Sequence, residues 1–451
     1  MAKASVPYGA CRELEFQIPR GSLLGCFGLP SRRADAGEAG KAGEAGDAGD
    51  GEALIAAALE APVGSPRLRE LAAGGRDAVV LCDDMTRPTP ADRILPHLLN
   101  ELNVAGIPDS AITIVMANGS HRPMTRPEII ARVGEDIAAR VEAINHDYRS
   151  RSELVNWGNT KSGIPIWINR CVAGAGLVVG AGSIVPHRYC GWSGGAKIVQ
   201  PGVCGEETTI ATHLMMARDP GVRLGVVENS VRHEMEDVAR QARLAFIVNT
   251  VLNSAGEVVG CVAGDCVLAH RAGVCMAEAV CAVDVPALAD VVVVGSYPAD
   301  LNFWQAGKAI YSADLAVRDG GTIVLVTPAT EGVGEHPEFI ELLRHTCEEI
   351  RGLLERGQVE DRLSAAAALA VKMVLERASL ILVSDGLTAD DARKIGAPLF
   401  APDALQDAVD VALGRHRPGA TVTVLREGAD ILPRLGRAAN PASASSAASK
   451  G

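Results

Sequence analysis

Two histidines and a lysine lie within one glycine-rich stretch of the chain. The stretch reads PHRYCGWSGGAKIVQPGVCGEETTIATH and contains His187, Lys197 and His213. It follows an apolar run, AGLVVGAGSIV, that is typical of a buried strand. In open α/β sheets, ligands bind beyond the carboxyl ends of the strands. This stretch is therefore the first candidate for a reactive site.

The glycines of this stretch suit close contact between backbone and ligand. Gly194 and Gly195 precede the lysine and have no side chain that would keep a ligand away. A phosphate-binding P-loop would need glycine directly before the lysine and serine or threonine after it, but Ala196 and Ile198 flank Lys197. The stretch is not a P-loop.

Three more polar groups follow predicted strands. DDMTRP follows a strand predicted at 77–82, NGSHR follows one at 111–116, and NFWQAGK follows one at 290–295. Polar groups at the carboxyl edges of two facing domains would converge in the cleft between them. The candidate residues of these groups are Asp84, Arg87, His121, Trp304, Gln305 and Lys308.

These residue types suit the inversion of a stereocentre next to a carboxylate. With His121 and His187 on opposite faces of a substrate, one takes a proton as the other gives one. An arginine holds a carboxylate through two hydrogen bonds, and a lysine adds a point charge. A desolvated Lys197 is a good nucleophile that could hold a cofactor covalently. His213 could bind a transition metal through its imidazole.

Each group also has a structural interpretation. Asp84 and Arg87 could begin a helix, with the carboxylate accepting from backbone N–H groups ahead of a proline. A single histidine in a loop is often a hydrogen-bonded structural residue. Lys308 could be solvated and Trp304 could belong to the core. The functional interpretation is favoured because all of these groups follow the carboxyl ends of predicted strands.

Composition narrows the class of protein. The chain has 451 residues, 48% hydrophobic and 22% charged, which suits two or three globular domains. A net charge of −12 argues against a nucleic-acid partner. No apolar run approaches the roughly 20 residues of a membrane helix, and no hydrophobic signal core is present, so we expect a cytoplasmic protein that does not bind membranes.

The 11 cysteines form an odd number and lie mostly in apolar segments, which indicates reduced thiols rather than a disulfide framework. One cluster could be considered as a metal site, but its spacing lacks a CxxC pair. Its members are Cys261, Cys266, His270 and Cys275.

Alternating strands and helices predict an α/β fold with two domains, each with a mostly parallel sheet flanked by helices, and an active site in the interdomain cleft. Strands are predicted at 77–82, 111–116, 176–180, 290–295, 321–326 and 379–383, with a helix at 90–102. The predicted domains are 1–283, with a flexible Ala/Gly/Glu/Asp-rich insertion at 31–51, and 284–415. Residues 416–436, with a strand at 421–425, are expected to return to the first domain, and 437–451 to form a flexible tail.

Five motifs occur in a particular order along the chain. They are DDMTRPTP at 83–90, NGSHRP at 118–123, PHRYCGWSGGAK at 186–197, ATH at 211–213 and WQAGK at 304–308. In these motifs the chain resembles the lactate racemase family, the nickel-pincer-nucleotide enzymes, over nearly its whole length outside 31–51 and the tail. The resemblance implies an isomerase, a racemase or epimerase that inverts C2 of a 2-hydroxy acid. A hydride would pass to the cofactor, leaving a 2-keto acid, and return to the other face.

The resemblance also implies how the cofactor is held. Lys197 would carry the pincer nucleotide covalently, and His213 would complete the coordination of nickel. Asp84, Gly194 and Gly195 would lie beside the cofactor. Enzymes that synthesise the cofactor would be partners of the protein.

For the substrate, a small 2-hydroxy acid, the resemblance implies an acid–base pair and a set of binding groups. His121 and His187 would exchange protons with the 2-hydroxyl group. The binding groups would be Arg87, Lys308, Gln305 and Trp304.

One family feature has no match here. Members that act on lactate have a later tryptophan near the substrate's methyl group, whereas the tryptophans of this chain are Trp157, Trp167, Trp192 and Trp304. The pocket could therefore accept lactate or an acid with a larger or more polar side chain, such as malate. Arg122 and Arg188, which adjoin the two histidines, are candidates for holding a second carboxylate.

Two other functions remain open at this point. A zinc-dependent hydrolase would use three of His121, His187, His213 and Asp84, but it leaves Lys197 without a role. A non-catalytic nickel-binding protein would tolerate the loss of either His121 or His187.

Overall fold

A computed structural model describes residues 1–30 and 51–436. They form two compact units, each described separately. The central unit is Pro30–Val280, and the discontinuous unit combines Met1–Leu29 with the chain from Cys281 onward. The predicted insertion lies outside the described residues except for Gly51, which begins helix α1 (Gly51–Glu60). The predicted tail at 437–451 also lies outside them.

The chain begins in the discontinuous unit. Strands β1 (Ala2–Tyr8) and β2 (Arg12–Ile18) form an antiparallel hairpin. Leu14, Phe16 and Ile18 of β2 are buried and alternate with exposed polar residues, as expected of a strand with one face in the core. Strand β3 (Leu23–Phe27) then joins the main sheet of this unit.

The central unit contains a six-stranded sheet in the order β13-β12-β9-β4-β5-β6. Its strands are β4 (Ala78–Asp83), β5 (Ile112–Ala117), β6 (Glu142–Asn145), β9 (Val178–Ser183), β12 (Leu244–Leu252) and β13 (Val258–Gly264). All neighbours pair in parallel except β12 and β13. Two small hairpins pair β7 (Leu154–Asn159) with β8 (Pro165–Asn169) and β10 (Pro186–His187) with β11 (Gly191–Trp192).

Helices cover this sheet. Besides α1 they are α2 (Leu68–Leu71), α3 (Ala91–Val104), α4 (Arg126–Val133), α5 (Glu135–Arg140), α6 (Arg170–Gly174), α7 (Glu206–Met215), α8 (Ser230–Gln241) and α9 (Leu268–Cys281). The helix predicted at 90–102 is α3, whose buried residues, including Leu95, Leu98 and Leu102, repeat at helical spacing and pack in the main core. Thr125 and Glu128 form a capping box that fixes the start of α4.

The discontinuous unit contains a six-stranded, fully parallel sheet in the order β18-β17-β16-β15-β19-β3. Its remaining strands are β15 (Ala289–Gly295), β16 (Val317–Val326), β17 (Ser379–Val383), β18 (Leu399–Phe400) and β19 (Val422–Leu425), and β14 (Ala282–Val285) pairs with β20 (Leu432–Leu435). Its helices are α10 (Phe303–Asp314), α11 (Glu338–Leu342), α12 (Cys347–Glu355), α13 (Arg362–Leu375), α14 (Ala389–Ile395) and α15 (Leu405–Gly414).

The α/β fold with parallel-rich sheets is confirmed, but two predicted chain assignments are wrong. Residues 416–436 do not return to the first domain, because β19 pairs with β15 and β3. The first 29 residues belong with the later part of the chain rather than with the central unit. In both cases an apolar run identifies a buried strand without identifying the sheet that buries it.

Two further expectations concern the whole chain. All of its cysteines are free thiols, as predicted. In the described parts of the chain, no helix combines the length and the apolar character that crossing a membrane requires.

Candidate active site

Three predicted motifs follow three neighbouring strands of the central unit. Strand β4 lies between β5 and β9 and runs parallel to both. Asp83 ends β4, His121 follows β5, and His187 follows β9 at the end of β10. The carboxyl edge of these strands therefore carries all three motifs, as the sequence predicted for this unit.

Asp84 and His121 form a direct pair. The Nδ1 atom of His121 lies 2.5 Å from Oδ2 of Asp84, and the other carboxylate oxygen accepts from the Thr86 hydroxyl at 2.6 Å. Burial alone would raise the pKa of the Asp84 carboxyl, but His121, its hydrogen bond and the Arg87 charge together hold that pKa well below its usual range. An ionised Asp84 only accepts, so His121 donates from Nδ1 and has its lone pair on Nε2.

Arg87 lies in the same loop. Its Nη1 donates to the hydroxyl of Thr86 at 2.8 Å and to the backbone carbonyl of Thr86 at 3.2 Å. The alternative that Asp84 and Arg87 begin a helix is wrong, because α3 starts at Ala91 with Pro90 at its N-cap and no capping side chain.

An arginine outside the predicted motifs holds this loop. Arg132, on α4, donates from Nη2 to the carbonyls of Asp84 and Arg87, at 2.6 Å each, and from Nη1 to the carbonyl of Thr89. The Thr89 hydroxyl donates to Oδ2 of Asp83 at 2.7 Å. The backbone of the loop that carries Asp84 is thereby fixed.

His187 is held by its own hairpin. It pairs with Gly191 across β10 and β11. Its Nδ1 accepts from the backbone N–H of Tyr189 at 3.3 Å and lies 3.3 Å from the thiol sulfur of Cys190. The Tyr189 ring contacts both His187 and His213, with ring centroids 5.7 and 4.7 Å apart, respectively. The structure thus brings two predicted histidines to one tyrosine.

His213 lies in the last turn of α7. Its Nδ1 donates to the backbone carbonyl of Thr209 at 2.8 Å. The lone pair of the neutral ring is then on Nε2, as in metal-binding histidines whose other nitrogen is fixed by a carbonyl.

The turn before Lys197 requires glycine. Gly194 and Gly195 have φ angles of 74° and 59°, which favour glycine. A Cβ atom on Gly195 would also lie 2.8 Å from the His270 ring. The N–H of Gly195 donates to the side-chain oxygen of Asn249 at 2.8 Å, and His270 Nε2 donates to the carbonyl of Ser193 at 2.8 Å.

A second arginine holds this turn. Arg232, on α8, is completely buried. Its guanidinium donates to the carbonyls of Cys190 at 3.3 Å and Gly194 at 3.2 Å, and also to that of Trp192. Three backbone carbonyls therefore surround a buried positive charge.

Lys197 lies in the short 3₁₀ turn Gly195–Ile198 that ends this segment. Burial, followed by the positive charge of Arg87, lowers the pKa of its ammonium to about 8. Cys190 and Asp84 also act on it electrostatically, in the opposite direction. Lys197 thus lies in the field of both loops, and a larger fraction of its amine is neutral near pH 7 than in an exposed lysine.

In the discontinuous unit, the predicted residues cluster at the start of α10. Asn302 caps the helix by accepting from the N–H of Gln305 at 3.0 Å. The Lys308 ammonium donates to the side-chain oxygen of Gln305 at 2.7 Å. The Trp304 ring stacks on His336 with centroids 4.3 Å apart, so at least one of its faces packs within the unit.

The structure gives no support to the candidate metal clusters, and it shows other partners for Arg122 and Arg188. Among the described residues, no three His, Cys, Asp or Glu side chains are placed to hold a metal ion, which leaves both the Cys261 cluster and a three-ligand zinc site without support. His270 of that cluster instead supports the glycine turn. Arg122 forms two hydrogen bonds with Glu128, at 2.8 and 2.9 Å, and Arg188 donates to the carbonyl of Val222.

Comparison with known families matches two successive segments of the chain. The lactate racemase N-terminal domain matches residues 35–225, and the lactate racemase C-terminal domain matches residues 285–432. The lactate racemase of Lactiplantibacillus plantarum is 33% identical over 383 residues, which cover 83% of this chain and 89% of that protein. The chain belongs to the lactate racemase family. Its relatives identify it as an enzyme, an isomerase of the racemase class.

A second member extends the match. The lactate racemase of Thermoanaerobacterium thermosaccharolyticum is 29% identical over 442 residues, which cover 96% of this chain and 100% of that protein. The structure of its apoprotein superposes with a TM-score of 0.84 at 28% identity and similar coverage. A Thermotoga maritima protein shares the fold, with a TM-score of 0.67, 20% identity, and coverage of 85% of this chain and 98% of that one.

Sequence reasoning missed the residues that hold the motifs in place. The most important are Arg132, Cys190, Arg232, Asn249 and His270. Cys190 lies inside a predicted motif and His270 belongs to the cysteine–histidine cluster, but nothing in the sequence indicated that either holds a loop. The other three lie on distant elements, so no local spacing could indicate them.

Proposed function

We propose that this racemase interconverts the two enantiomers of lactate, or of a closely related small 2-hydroxy acid, with a nickel-pincer nucleotide attached to Lys197. The observation that supports it most is that His121 is bound to the carboxylate of Asp84, which in turn acts electrostatically on Lys197, a buried lysine of lowered pKa. A proton acceptor and an attachment point for a cofactor are both needed for this reaction.

The residues present fit the proposed cofactor. Lys197 offers an amine that is partly neutral near pH 7, and Gly194 and Gly195 add no side chains of their own to the turn before it. His213 offers Nε2 as a ligand for nickel, because its Nδ1 is fixed by the Thr209 carbonyl. When bound, the nickel-pincer nucleotide would accept the C2 hydrogen as a hydride and return it.

The two histidines would handle the hydroxyl proton. His121 takes it at Nε2, and the ionised Asp84 stabilises the imidazolium that forms, since their atoms are 2.5 Å apart. His187 exchanges a proton with the substrate of the opposite hand. Each histidine acts as base for one enantiomer and as acid for the other.

Arg87 and Lys308 are the cationic groups that we propose for binding the substrate carboxylate. Arg87 has one nitrogen fixed by Thr86, which holds its guanidinium in a defined orientation. Lys308 is oriented by Gln305 at 2.7 Å. Trp304, on the same helix as Lys308, would supply an apolar surface for the substrate.

The surroundings of Arg122 and Arg188, the two candidates for holding a second carboxylate, favour a substrate with one carboxylate. Arg122 is matched by Glu128, and Arg188 is used by the Val222 carbonyl. Both proteins named above as relatives are lactate racemases. We therefore place lactate ahead of dicarboxylates such as malate.

The test is to express the full chain together with the enzymes that synthesise the cofactor, which we propose as its partners. Peptide mass spectrometry then locates the cofactor, and a chiral assay follows a panel of single-enantiomer 2-hydroxy acids. We expect a nucleotide adduct on Lys197 and loss of optical activity with lactate. H121Q and H187Q should each lower kcat by about a hundredfold or more.

The matched control is H233Q, because His233 is exposed on α8 and pairs with Glu228. It should retain normal activity. An unmodified Lys197 in an active enzyme would overturn the cofactor assignment. Binding of nickel without activity toward any acid in the panel would favour a non-catalytic nickel-binding protein instead.

A further inference from the structure

The two histidines differ in what their Nδ1 atoms meet. Nδ1 of His121 faces the Asp84 carboxylate at 2.5 Å, whereas Nδ1 of His187 faces the N–H of Tyr189 and the thiol of Cys190, both at 3.3 Å. A carboxylate only accepts a hydrogen bond, and a backbone N–H only donates one. In their neutral forms, the two rings therefore favour opposite tautomers.

The contact at Nδ1 determines which nitrogen of each neutral ring carries the proton. His121 carries its proton on Nδ1 and its lone pair on Nε2, which makes it ready to accept a proton. His187 carries its lone pair on Nδ1 and its proton on Nε2. The form of His187 that acts as an acid is the imidazolium, which has a proton on both nitrogens, so its Nδ1–H group needs a hydrogen-bond acceptor.

Cys190 provides such an acceptor. Its side chain is buried, and its sulfur lies 3.1 Å from the carbonyl oxygen of Trp192 as well as 3.3 Å from Nδ1 of His187. A thiol both donates and accepts. When the S–H points to Nδ1, the ring nitrogen accepts from it; when the S–H points to Trp192, the sulfur accepts from a protonated Nδ1.

The sulfur is held in this position by the surrounding backbone. The carbonyls of Cys190 and Trp192 both accept from the buried Arg232. Because the guanidinium fixes the turn on both sides of the hairpin, the thiol hydrogen can change partner while the backbone stays in place.

We propose that Cys190 is a positioning residue for His187, whose thiol switches between donating to Nδ1 and accepting from it as the ring gains and loses a proton. This role rests on the proposed function of His187 as one of the acid–base pair. Asp84 stabilises only a protonated Nδ1 on His121, whereas Cys190 accommodates both states on His187.

The first test is independent of cofactor and activity. The full-length chain, labelled with ¹⁵N-histidine and without cofactor, is studied by long-range ¹H–¹⁵N correlation at pH 8, with H121Q and H187Q used to assign the two rings. We expect a protonated Nδ1 on His121, and on His187 a protonated Nε2 with a hydrogen-bonded, unprotonated Nδ1. In C190A, the His187 Nδ1 signal should move toward that of a nitrogen with fewer hydrogen bonds, and C190S should restore it.

Kinetics of the cofactor-loaded enzyme give the second test. C190A should lower kcat/KM by about threefold to tenfold, the effect of losing one modest hydrogen bond, and C190S should recover most of it. Because the equilibrium constant of racemisation is one, the loss in kcat/KM must be equal for both enantiomers. C171A is the control, since Cys171 lies near Thr113, Glu142 and Asp77 rather than the histidines.

The outcomes separate this proposal from the proposed function. A protonated Nδ1 on resting His187, or an unchanged Nδ1 signal in C190A, overturns the role of Cys190 even if the enzyme is active. Equal loss of activity in C190A and C190S also overturns it, because side-chain shape would then be the cause. The expected NMR result in a protein without racemase activity supports the contact and rejects the function.

Discussion

The loop after β4 and the turn after β9 are held in the same way but in different electrostatic surroundings. In each, one arginine from a helix donates to three backbone carbonyls: Arg132 to residues 84, 87 and 89, and Arg232 to residues 190, 192 and 194. Backbone carbonyl oxygens of both segments thereby gain a charged donor.

The difference lies in how each positive charge is balanced. Arg132 is partly exposed, and its loop contains the carboxylates of Asp83 and Asp84. Arg232 is fully buried and, within the described residues, has no carboxylate in salt-bridge distance, so only carbonyl dipoles surround it. Its charge also contributes to the lowered pKa of Lys197. Both arginines therefore hold the backbone of their own loop, and Arg232 in addition lowers the pKa of Lys197.

The largest expected effect comes from removing the buried arginine. R232M removes the buried charged donor that three backbone carbonyls share and should lower the free energy of unfolding by about 4 kcal/mol. Urea unfolding followed by circular dichroism measures this. R240M, which changes an exposed arginine of the same helix, should differ from the wild type by less than about 0.5 kcal/mol. Equal stability of the two variants would contradict the role given to Arg232.

Removing the partly exposed arginine should cost less. R132M lets water reach part of the loop, so we expect a loss of about 2 kcal/mol in the same unfolding experiment. R126M, on the same helix, is its control because Arg126 is exposed and donates to the carbonyl of Ala138. A loss larger than that of R232M would reverse the proposed ranking of the two loops.

Replacing the lysine should stabilise the protein. K197M removes an ammonium that burial disfavours and should raise the free energy of unfolding by about 1–2 kcal/mol at pH 7, with loss of the cofactor site. The folded pKa of about 8 is below the unfolded value, so between pH 8 and 10.5 the unfolded chain binds the extra proton. Wild-type stability should therefore rise with pH across this window and approach that of K197M.

Unfolding measured from pH 6 to 10 checks this sign. K161M, which changes an exposed lysine of the same unit, should show neither the gain nor the pH dependence. A wild-type stability that falls between pH 8 and 10 relative to K197M would mean that the lysine is stabilised in its charged form.

The smallest effect is expected where an arginine meets a carboxylate near the surface. R122M breaks the pair with Glu128 and should change stability by less than about 1 kcal/mol and activity toward lactate by about twofold at most. E128Q serves as the companion variant. A large loss of activity confined to dicarboxylate substrates in R122M would instead place Arg122 at the substrate.

The sequence indicated the strands and motifs of the central unit because each has a local signal. Apolar runs located β4, β5 and β9, and polar residues directly after them located Asp84, His121 and His187. The role of Asp84 was less accessible: the family resemblance placed it beside the cofactor, whereas its carboxylate contacts His121. A contact between two loops has no signature in the spacing of either.

The residues that hold the loops could not be predicted for the same reason. Arg132 and Arg232 donate to carbonyls that are 38 or more residues away in sequence. From the sequence alone, they cannot be distinguished from other arginines on amphipathic helices. Strand β19 shows a related limit. Its apolar residues required a buried position, but only the folded chain shows that its neighbours are β15 and β3.

The split composition of the discontinuous unit bears on how the chain folds during synthesis. Leu29 donates to Glu427, 398 residues later, and β3 pairs with β19 over a similar distance. Strand β3, which the ribosome makes early, must therefore wait, unpaired with its final neighbour β19, until nearly the whole chain has emerged. The central unit meanwhile has its complete sheet available and can fold first, so the closing of this long loop is expected to be the slow, late step.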